Sequence, residues 1–151
     1  MEEELSYVLF LKEIFGKIQK NMIDRLKFRG LGVNYRENVM ELPIISISGC
    51  HYEIGIHEDC HEIALHFQGS RDNNQSRLEG FRPHQQALEH KLGYRIILGP
   101  HEGQHRKRLW IKMPLKPLTL DLVDQYSELT TNLIVLTLPI LQAIINREKN
   151  L

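Results

Sequence analysis

Hydrophobic and polar residues alternate along residues 42–67, LPIISISGCHYEIGIHEDCHEIALHF, as they do in strands with one buried face. This pattern predicts an antiparallel meander of three strands. One face would pack on helices through its apolar side chains, which are Ile45, Ile47, Tyr52, Ile54, Ile56, Ile63, Leu65 and Phe67. The opposite face would be polar or small, with Ser46, Ser48, His51, Glu53, Gly55, His57, Cys60, Glu62, Ala64 and His66.

Two turns would set the register of the meander. Gly49 suits the first position of a type II′ turn, and a turn at residues 49–50 pairs Ile45 with Ile54. The turn signal at residues 58–59 is weaker and is compatible with a longer loop. A two-residue turn there places His51 opposite His66.

Helical periodicity is present on both sides of the meander. The apolar spacing predicts an amphipathic helix from Glu4 to about Arg29 that ends at the glycines of residues 30–32. Residues 33–40 are compatible with an irregular link or a short edge strand. After a polar loop at residues 69–76, a helix is expected to start late or to be kinked by Gly80 and Pro83, and to close at Gly93.

A second hairpin and a long helix complete the predicted order. Residues 94–98 and 108–113 look like its two strands, and the second would turn Leu109, Ile111 and Met113 toward the core. Thr119 is the expected N-cap of a helix that runs to about Asn146 with a kink at Pro139. The order α-βββ-α-ββ-α predicts an α+β fold with an antiparallel sheet of about five strands and helices on one face.

Composition narrows the class of protein. The 151 residues fit a single domain, residues 1–151, with a hydrophobic core of its own. Nineteen basic and nineteen acidic residues give a formal net charge of zero, so nucleic acid or an acidic membrane would have to bind a local patch. Two cysteines without a preceding signal sequence favour a reduced, cytoplasmic protein. The longest apolar run, residues 133–141, is too short for a membrane span.

The predicted polar face carries the densest chemistry. Imidazole, thiolate and carboxylate groups are zinc ligands, and neighbouring strands could bring them together. The spacing matches no known zinc motif, so we predict no metal or other cofactor and keep His57 and Cys60 as weak metal candidates. The same two residues could act as base and nucleophile. A hydrolase or nuclease-related enzyme using this face is therefore the alternative hypothesis, although no catalytic residue is assigned.

Motifs of known enzyme classes are missing from the sequence. A restriction-type nuclease needs an acid-x-Lys step on a strand to hold magnesium, but residues 110–112 read Trp-Ile-Lys. The chain also contains no phosphate-binding loop, no GxGxxG and no GxSxG. A non-enzymatic protein is therefore the first hypothesis.

Basic residues cluster in the second hairpin around the one tryptophan. Clustered cations beside an aromatic ring suit phosphate contact and base stacking, so a possible nucleic-acid surface consists of Arg106, Lys107, Arg108, Trp110 and Lys112. The simpler interpretation is a charged hairpin that keeps an edge strand soluble.

The last helix has more apolar surface than a helix resting on one sheet face needs. Its regular core stripe is Leu122, Tyr126, Leu129, Leu133, Leu136, Ile140 and Ile144. Further apolar residues lie outside this stripe, and we predict that they form a homodimer interface: Ile134, Val135, Leu138, Leu141 and Ile145.

The segments GCHYEIGI, EIALHF and HKLGYRIIL, followed by a proline-bounded last helix, resemble a bacterial family of uncharacterised domains. Members occur alone or attached to restriction-endonuclease-like proteins, and the likeness covers nearly the whole chain. It implies an α+β accessory module in a DNA-defence setting and carries over no catalytic residues. The element order is also similar to small dimeric secretion chaperones, which bind proteins. The first hypothesis is thus a cytoplasmic homodimeric binding module with a protein partner and possible nucleic-acid contact.

Overall fold

A computed structural model describes residues 3–27, 29–101 and 105–150. It confirms the α+β class, with six strands rather than about five among the described residues. In chain order the elements are α1 (Tyr7–Leu26), β1 (Asn34–Arg36), β2 (Val39–Pro43), β3 (Cys50–Ile56), β4 (His61–Phe67), α2 (Arg71–Phe81), a 3₁₀ turn (Arg82–His84), α3 (Gln85–Leu92), β5 (Ile97–Pro100), β6 (Lys107–Met113) and α4 (Leu120–Lys149).

The six strands form one sheet in the order β1-β2-β3-β4-β6-β5, and every neighbouring pair is antiparallel. The register predicted between β3 and β4 is confirmed, because Ile54 pairs with Ile63 and His51 with His66. The backbone N–H of His57 donates to the carbonyl of Cys60 over 3.0 Å, which closes the tight turn between these strands. Strand β6 lies inside the sheet between β4 and β5, so the edge strand of the second hairpin is β5.

The predicted first strand of the meander is wrong. Strand β2 lies earlier than expected and pairs Met40 with Ile54 and Leu42 with Tyr52, while residues 44–49 form a loop. In this register the fully buried side chains of Met40 and Leu42 face the core beside Ile54 and Tyr52. Ile45, which was expected on the core face, is 72% exposed.

Helix α1 ends earlier than the glycines suggested. Its N-terminus is capped by the Ser6 hydroxyl, which accepts a hydrogen bond from the Leu9 N–H. The C-cap residue is Lys27 in the left-handed conformation, with φ of 55°. Residues 33–40, which the sequence left open, contain β1 and the start of β2.

The polar loop predicted at residues 69–76 is mostly the start of helix α2. The Ser70 hydroxyl accepts from the Asn73 N–H, and Asp72 lies in the first turn. Asn74 is buried and holds the helix in place, since its side chain bonds to Gly69 and donates to the His105 carbonyl over 2.9 Å. The expected interruption near Pro83 occurs as the 3₁₀ turn, and Gly93 closes α3 as predicted.

Helices α1 and α4 run side by side in the same direction. Ion pairs and hydrogen bonds join them in order along both helices: Lys17 to Asp124, Asn21 to Thr131, and Arg25 to Glu128 and Asn132. Thr119 caps α4 as predicted by accepting from the Leu122 N–H. At the shared starting end, the Leu5 N–H donates to the Leu118 carbonyl over 2.7 Å.

The division of α4 into a core stripe and an outer face is not as predicted. Ile134, Leu138 and Leu141 are buried inside the protein, while Val135 and Ile145 are partly exposed. Leu136 and Ile140 of the expected core stripe are only partly buried. The reason is that α4 contacts α1, α2 and α3. Other parts of the chain therefore cover most of the apolar surface of α4. The homodimer stays a prediction, but its interface cannot be the one expected from the sequence.

Within the described residues, α4 is the helix with the length and apolar character to cross a bilayer. Its most apolar window of 18 residues has a mean hydropathy of 1.6, and 50% of that window is buried inside the protein. Core helices of soluble proteins have the same length and apolar character, so these two properties are weak evidence for a membrane span.

A chain of hydrogen bonds fixes α4 on the sheet. The Thr137 hydroxyl donates to the Leu133 carbonyl over 2.6 Å and lies 2.7 Å from the Tyr52 hydroxyl. Because the threonine proton is already used, the Tyr52 O–H donates to Thr137. Burial raises the pKa of Tyr52, which keeps this donor protonated.

Candidate functional site

The polar face of the central strands is buried rather than solvated. Every residue of β3 and β4 is buried, including His51, Glu53, Glu62 and His66. Side chains from elsewhere in the sheet lie against this face. The ring of His101 meets that of His66 edge-on at 4.5 Å, and Arg108 pairs with Glu62. We call His51, Glu53, His57, Glu62 and His66 the polar-face cluster.

Glu53 joins the two histidines that face each other across β3 and β4. Its two carboxylate oxygens lie 3.2 Å from His51 Nε2 and 3.3 Å from His66 Nε2. The two imidazole rings are stacked at 5.0 Å with planes 12° apart. This juxtaposition follows directly from the register, which pairs His51 with His66 and places Glu53 two residues further along the same face.

Glu62 is the second acidic centre of the cluster. His66 Nε2 donates to one of its oxygens over 2.6 Å, and the other oxygen pairs with Arg108 and lies 3.6 Å from His57 Nε2. Among the described residues, no hydrogen-bond partner reaches His66 Nδ1 or Arg108 Nε. The cluster therefore combines two buried carboxylates with three imidazoles, and the guanidinium of Arg108 pairs with it from β6.

The electrostatic surroundings keep Glu53 ionised. Burial by itself would raise the pKa of this carboxyl group, but the hydrogen bond from His51 and the nearby charges of His66, His51 and His101 lower the pKa below its usual range. An ionised carboxylate between imidazole nitrogens is a strong acceptor of hydrogen bonds and a suitable ligand for cations.

An open pocket of about 440 Å³ lies beside the cluster. Its walls come from the β1–β2 turn, the polar face and the segment after β5, through Arg36, Glu37, Asn38, Val39, Glu53, His57, Gln68, His101 and Arg106. Glu53 and His57 thus face both the cluster and this opening. A small polar molecule or ion could reach the cluster by this route.

The geometry disfavours Cys60 as a nucleophile. Its thiol is buried, and burial together with the adjacent Asp59 carboxylate raises the pKa of Cys60. His57 Nε2, the expected base, is directed toward Glu62. Of the two weak metal candidates from the sequence, His57 lies in the cluster, where its ligand atom is close to those of Glu53 and Glu62, and Cys60 does not belong to that group.

The basic hairpin is only partly available to a ligand. Arg108 is paired with Glu62, and its guanidinium covers one face of the Trp110 ring at 3.8 Å from the centroid. Arg106 and Lys112 are exposed, and Lys107 is half-buried. The proposed nucleic-acid surface stays a prediction, with Arg106 and Lys112 as its accessible cations.

Two histidines that the sequence did not single out have defined environments. His61 lies on the core face of β4, where its Nδ1 is 2.6 Å from the Tyr126 hydroxyl. His101 lies next to His66 although it follows β5 in the chain. The sequence could have placed His61 on the core face, because it precedes Glu62 of the polar face in the same strand. The contact of His101 with His66 was not predictable, because it depends on the path of the chain after β5.

Comparisons with known proteins give little further information. No protein family model and no curated protein matches the chain. Among solved structures, it is similar to the crystal structure of YbjN, described as "a putative transcription regulator from E. coli". The two are 11% identical, the match covers 88% of this chain and 93% of that chain, and the TM-score is 0.40. A likeness at this level says nothing about the function of this protein.

Proposed function

We propose that this chain is a non-enzymatic binding module that acts with a protein partner, a second copy of itself in the first instance. The observation that carries the proposal is an apolar surface at the end of the molecule where α1 and α4 both begin. It consists of large side chains that are 46% to 54% exposed: Tyr7, Val8, Leu9, Leu115 and Leu120. We call it the helix-start surface.

These side chains lie on two chain segments that a backbone hydrogen bond joins. Each lies within four residues of the hydrogen bond between Leu5 and Leu118. Tyr7 and Val8 also line a groove of about 460 Å³ that reaches Asn38 and Ile56 on the sheet. Scattered apolar residues are normal on protein surfaces, but a cluster of them is typical of an interaction site. An isologous two-fold contact is the commonest way to cover such a surface.

Self-association of the full chain tests the proposal. Val8→Glu and Leu120→Glu each place a charge on the helix-start surface without changing a buried position. We expect the wild-type dissociation constant of the dimer, measured by sedimentation, to rise about tenfold or more in either variant. Ile45→Glu is the matched control, because Ile45 is 72% exposed in a different loop. A wild type that stays monomeric at micromolar concentration contradicts the homodimer.

The DNA-defence setting implied by the family resemblance is part of the same proposal. It predicts that a restriction-type protein is encoded beside this chain and co-purifies with it. Loss of that co-purification in Val8→Glu, with retention in Ile45→Glu, would support the helix-start surface as the contact site.

A hydrolase or nuclease-related enzyme is the second candidate function. One observation favours it: the polar-face cluster adjoins an open pocket, and Glu53 belongs to both. Hydrolysis of phosphodiester or ester substrates by the wild type that is lost in Glu53→Gln would support this candidate over the binding module.

A further inference from the structure

We infer that His51, Glu53 and His66 form a binding site for one divalent transition-metal ion, for which Zn²⁺ is the best match. This inference is independent of the helix-start surface. The site lies on the buried polar face, where the three residues offer two imidazole nitrogens and one carboxylate. Two histidines and one glutamate are an established ligand set for zinc with a remaining position for water.

The distances between the donor atoms suit a tetrahedral ion. With bonds of roughly 2.0–2.1 Å, two ligands of tetrahedral zinc lie about 3.3 Å apart. One Glu53 oxygen lies 3.2 Å from His51 Nε2, and the other lies 3.3 Å from His66 Nε2, so the carboxylate must shift for a single oxygen to serve as the ligand beside both nitrogens. One donor atom from each residue can be chosen so that all three lie within 4.8 Å of one another, and the two stacked rings would tilt toward each other on binding the ion.

Charge and burial also favour a cation here. The two buried carboxylates, Glu53 and Glu62, face one guanidinium that is already paired with Glu62. Without a metal, Glu53 depends on hydrogen bonds and partial positive charge from imidazoles to offset its desolvation. A divalent ion would supply this positive charge directly.

The hydrogen bonds of the cluster do not prevent binding. The ion takes the place of the protons on His51 Nε2 and His66 Nε2, and each proton moves to Nδ1 of its own ring or, where Nδ1 already carries a proton, to solvent. His66 Nδ1 has no hydrogen-bond partner among the described residues, so no existing hydrogen bond of that atom is lost. Glu62 keeps Arg108 and His57 as partners when His66 Nε2 turns to the ion.

Zinc titration of the full chain tests the site. We expect one tightly bound Zn²⁺ per chain by native mass spectrometry and chelator competition, and a thermal midpoint that rises with free zinc. Co²⁺ in the same site should give the visible bands of tetrahedral nitrogen and oxygen coordination without a thiolate charge-transfer band. Glu53→Gln, which keeps the side-chain shape, should weaken zinc binding about tenfold or more.

Three further variants separate this site from others. His51→Gln should weaken zinc binding as Glu53→Gln does, and it replaces that variant if Glu53→Gln does not fold. His90→Gln alters an exposed histidine on α3, and Cys60→Ser removes a thiol that lines a pocket together with His57 and Glu62, so both variants should bind zinc like the wild type. Absence of saturable binding, unchanged binding in both cluster variants, or loss of binding in either control overturns the inference.

Discussion

A Cβ atom on Gly55 would lie 2.4 Å from Nε2 of His57, so the imidazole fills the space that a side chain at residue 55 would need. The ring folds back over the strand it follows and reaches toward Glu62 at 3.6 Å. Glycine at residue 55 is therefore a requirement of the His57 position on the polar face.

Gly55→Ala should displace His57 with little cost in stability. The atoms that clash belong to the end of a side chain that is 34% exposed and can swing outward. We expect the free energy of unfolding to change by less than about 1 kcal/mol. The imidazole resonances of His57 should shift in NMR spectra while those of His51 stay unchanged. A loss of several kcal/mol would show that the ring cannot move.

Stability should fall as the pH drops below about 6.5, the unfolded-state pKa of histidine, and His61 should account for part of the loss. Burial lowers the pKa of His61, and the charge of His57 lowers it further. The unfolded chain then binds the proton more readily, so the contribution is present above the unfolded pKa and is lost as the pH falls through the folded pKa. His61→Gln should flatten the pH dependence of denaturant unfolding between pH 7.5 and 5. An unchanged slope would contradict this role.

Thr137→Val should cost more stability than Tyr52→Phe. The valine leaves the buried Tyr52 O–H without an acceptor, whereas the phenylalanine leaves Thr137 still donating to Leu133. We expect about 1–3 kcal/mol for Thr137→Val and about 1 kcal/mol for Tyr52→Phe from urea unfolding. The double variant should be less destabilised than the sum of the two. If the two single variants lost equal stability, or if the double variant lost the sum of the two, the hydroxyls would not be coupled.

Arg108→Ala should destabilise the fold, and Lys112→Ala should not. Removing Arg108 leaves the buried Glu62 carboxylate without its cation, at a cost of about 2 kcal/mol after allowing for partial solvent exposure. Lys112 is exposed on the same strand, and its replacement should change stability by less than about 0.5 kcal/mol. Thermal unfolding compares the two. If both variants unfold at the same temperature as the wild type, the ion pair between Arg108 and Glu62 contributes nothing to stability.

Because Arg108 is held by Glu62 and Lys112 is exposed, nucleic-acid binding is best tested with the exposed cations. Arg106→Ala and Lys112→Ala remove exposed cations, so a loss of binding in them reports on the surface itself. We expect any affinity of the wild type for single-stranded nucleic acid to fall steeply with salt, and the salt slope to become shallower in the double variant. An unchanged slope would place the contact elsewhere.

The sequence predicted the register of β3 and β4 because a two-residue turn and matched polarity allow few alternatives. The pairing of His51 with His66 was therefore predictable from the order of residues along the chain. The preceding strand was misplaced since Ile45 and Ile47 continue the same alternation into a loop, whereas the core row uses Met40 and Leu42. Alternation along the chain cannot show whether Met40 and Leu42 or Ile45 and Ile47 pair with β3, because both segments alternate in the same way.

The polar-face cluster was only partly predictable. Strand parity placed His51, Glu53, Glu62 and His66 on one face, but it does not show that the rest of the chain buries that face. Burial of that face depends on Arg108 and on the segment carrying His101, which come from residues far along the chain. The helix that begins after Ser70 was missed because its polar first turns show no apolar stripe, and its stability comes from the cap and from Asn74.

The side-by-side pairing of α1 and α4 has a consequence for synthesis on the ribosome. Residues that join the two helices are 103 to 110 positions apart in the chain. At roughly 5–20 residues per second, α1 waits on the order of 5–20 s for its partner to emerge. During that time Phe10, Leu11 and Ile14, all fully buried in the folded protein, have no α4 to cover them. We therefore predict that a ribosome-associated chaperone binds the nascent helix α1 before α4 emerges.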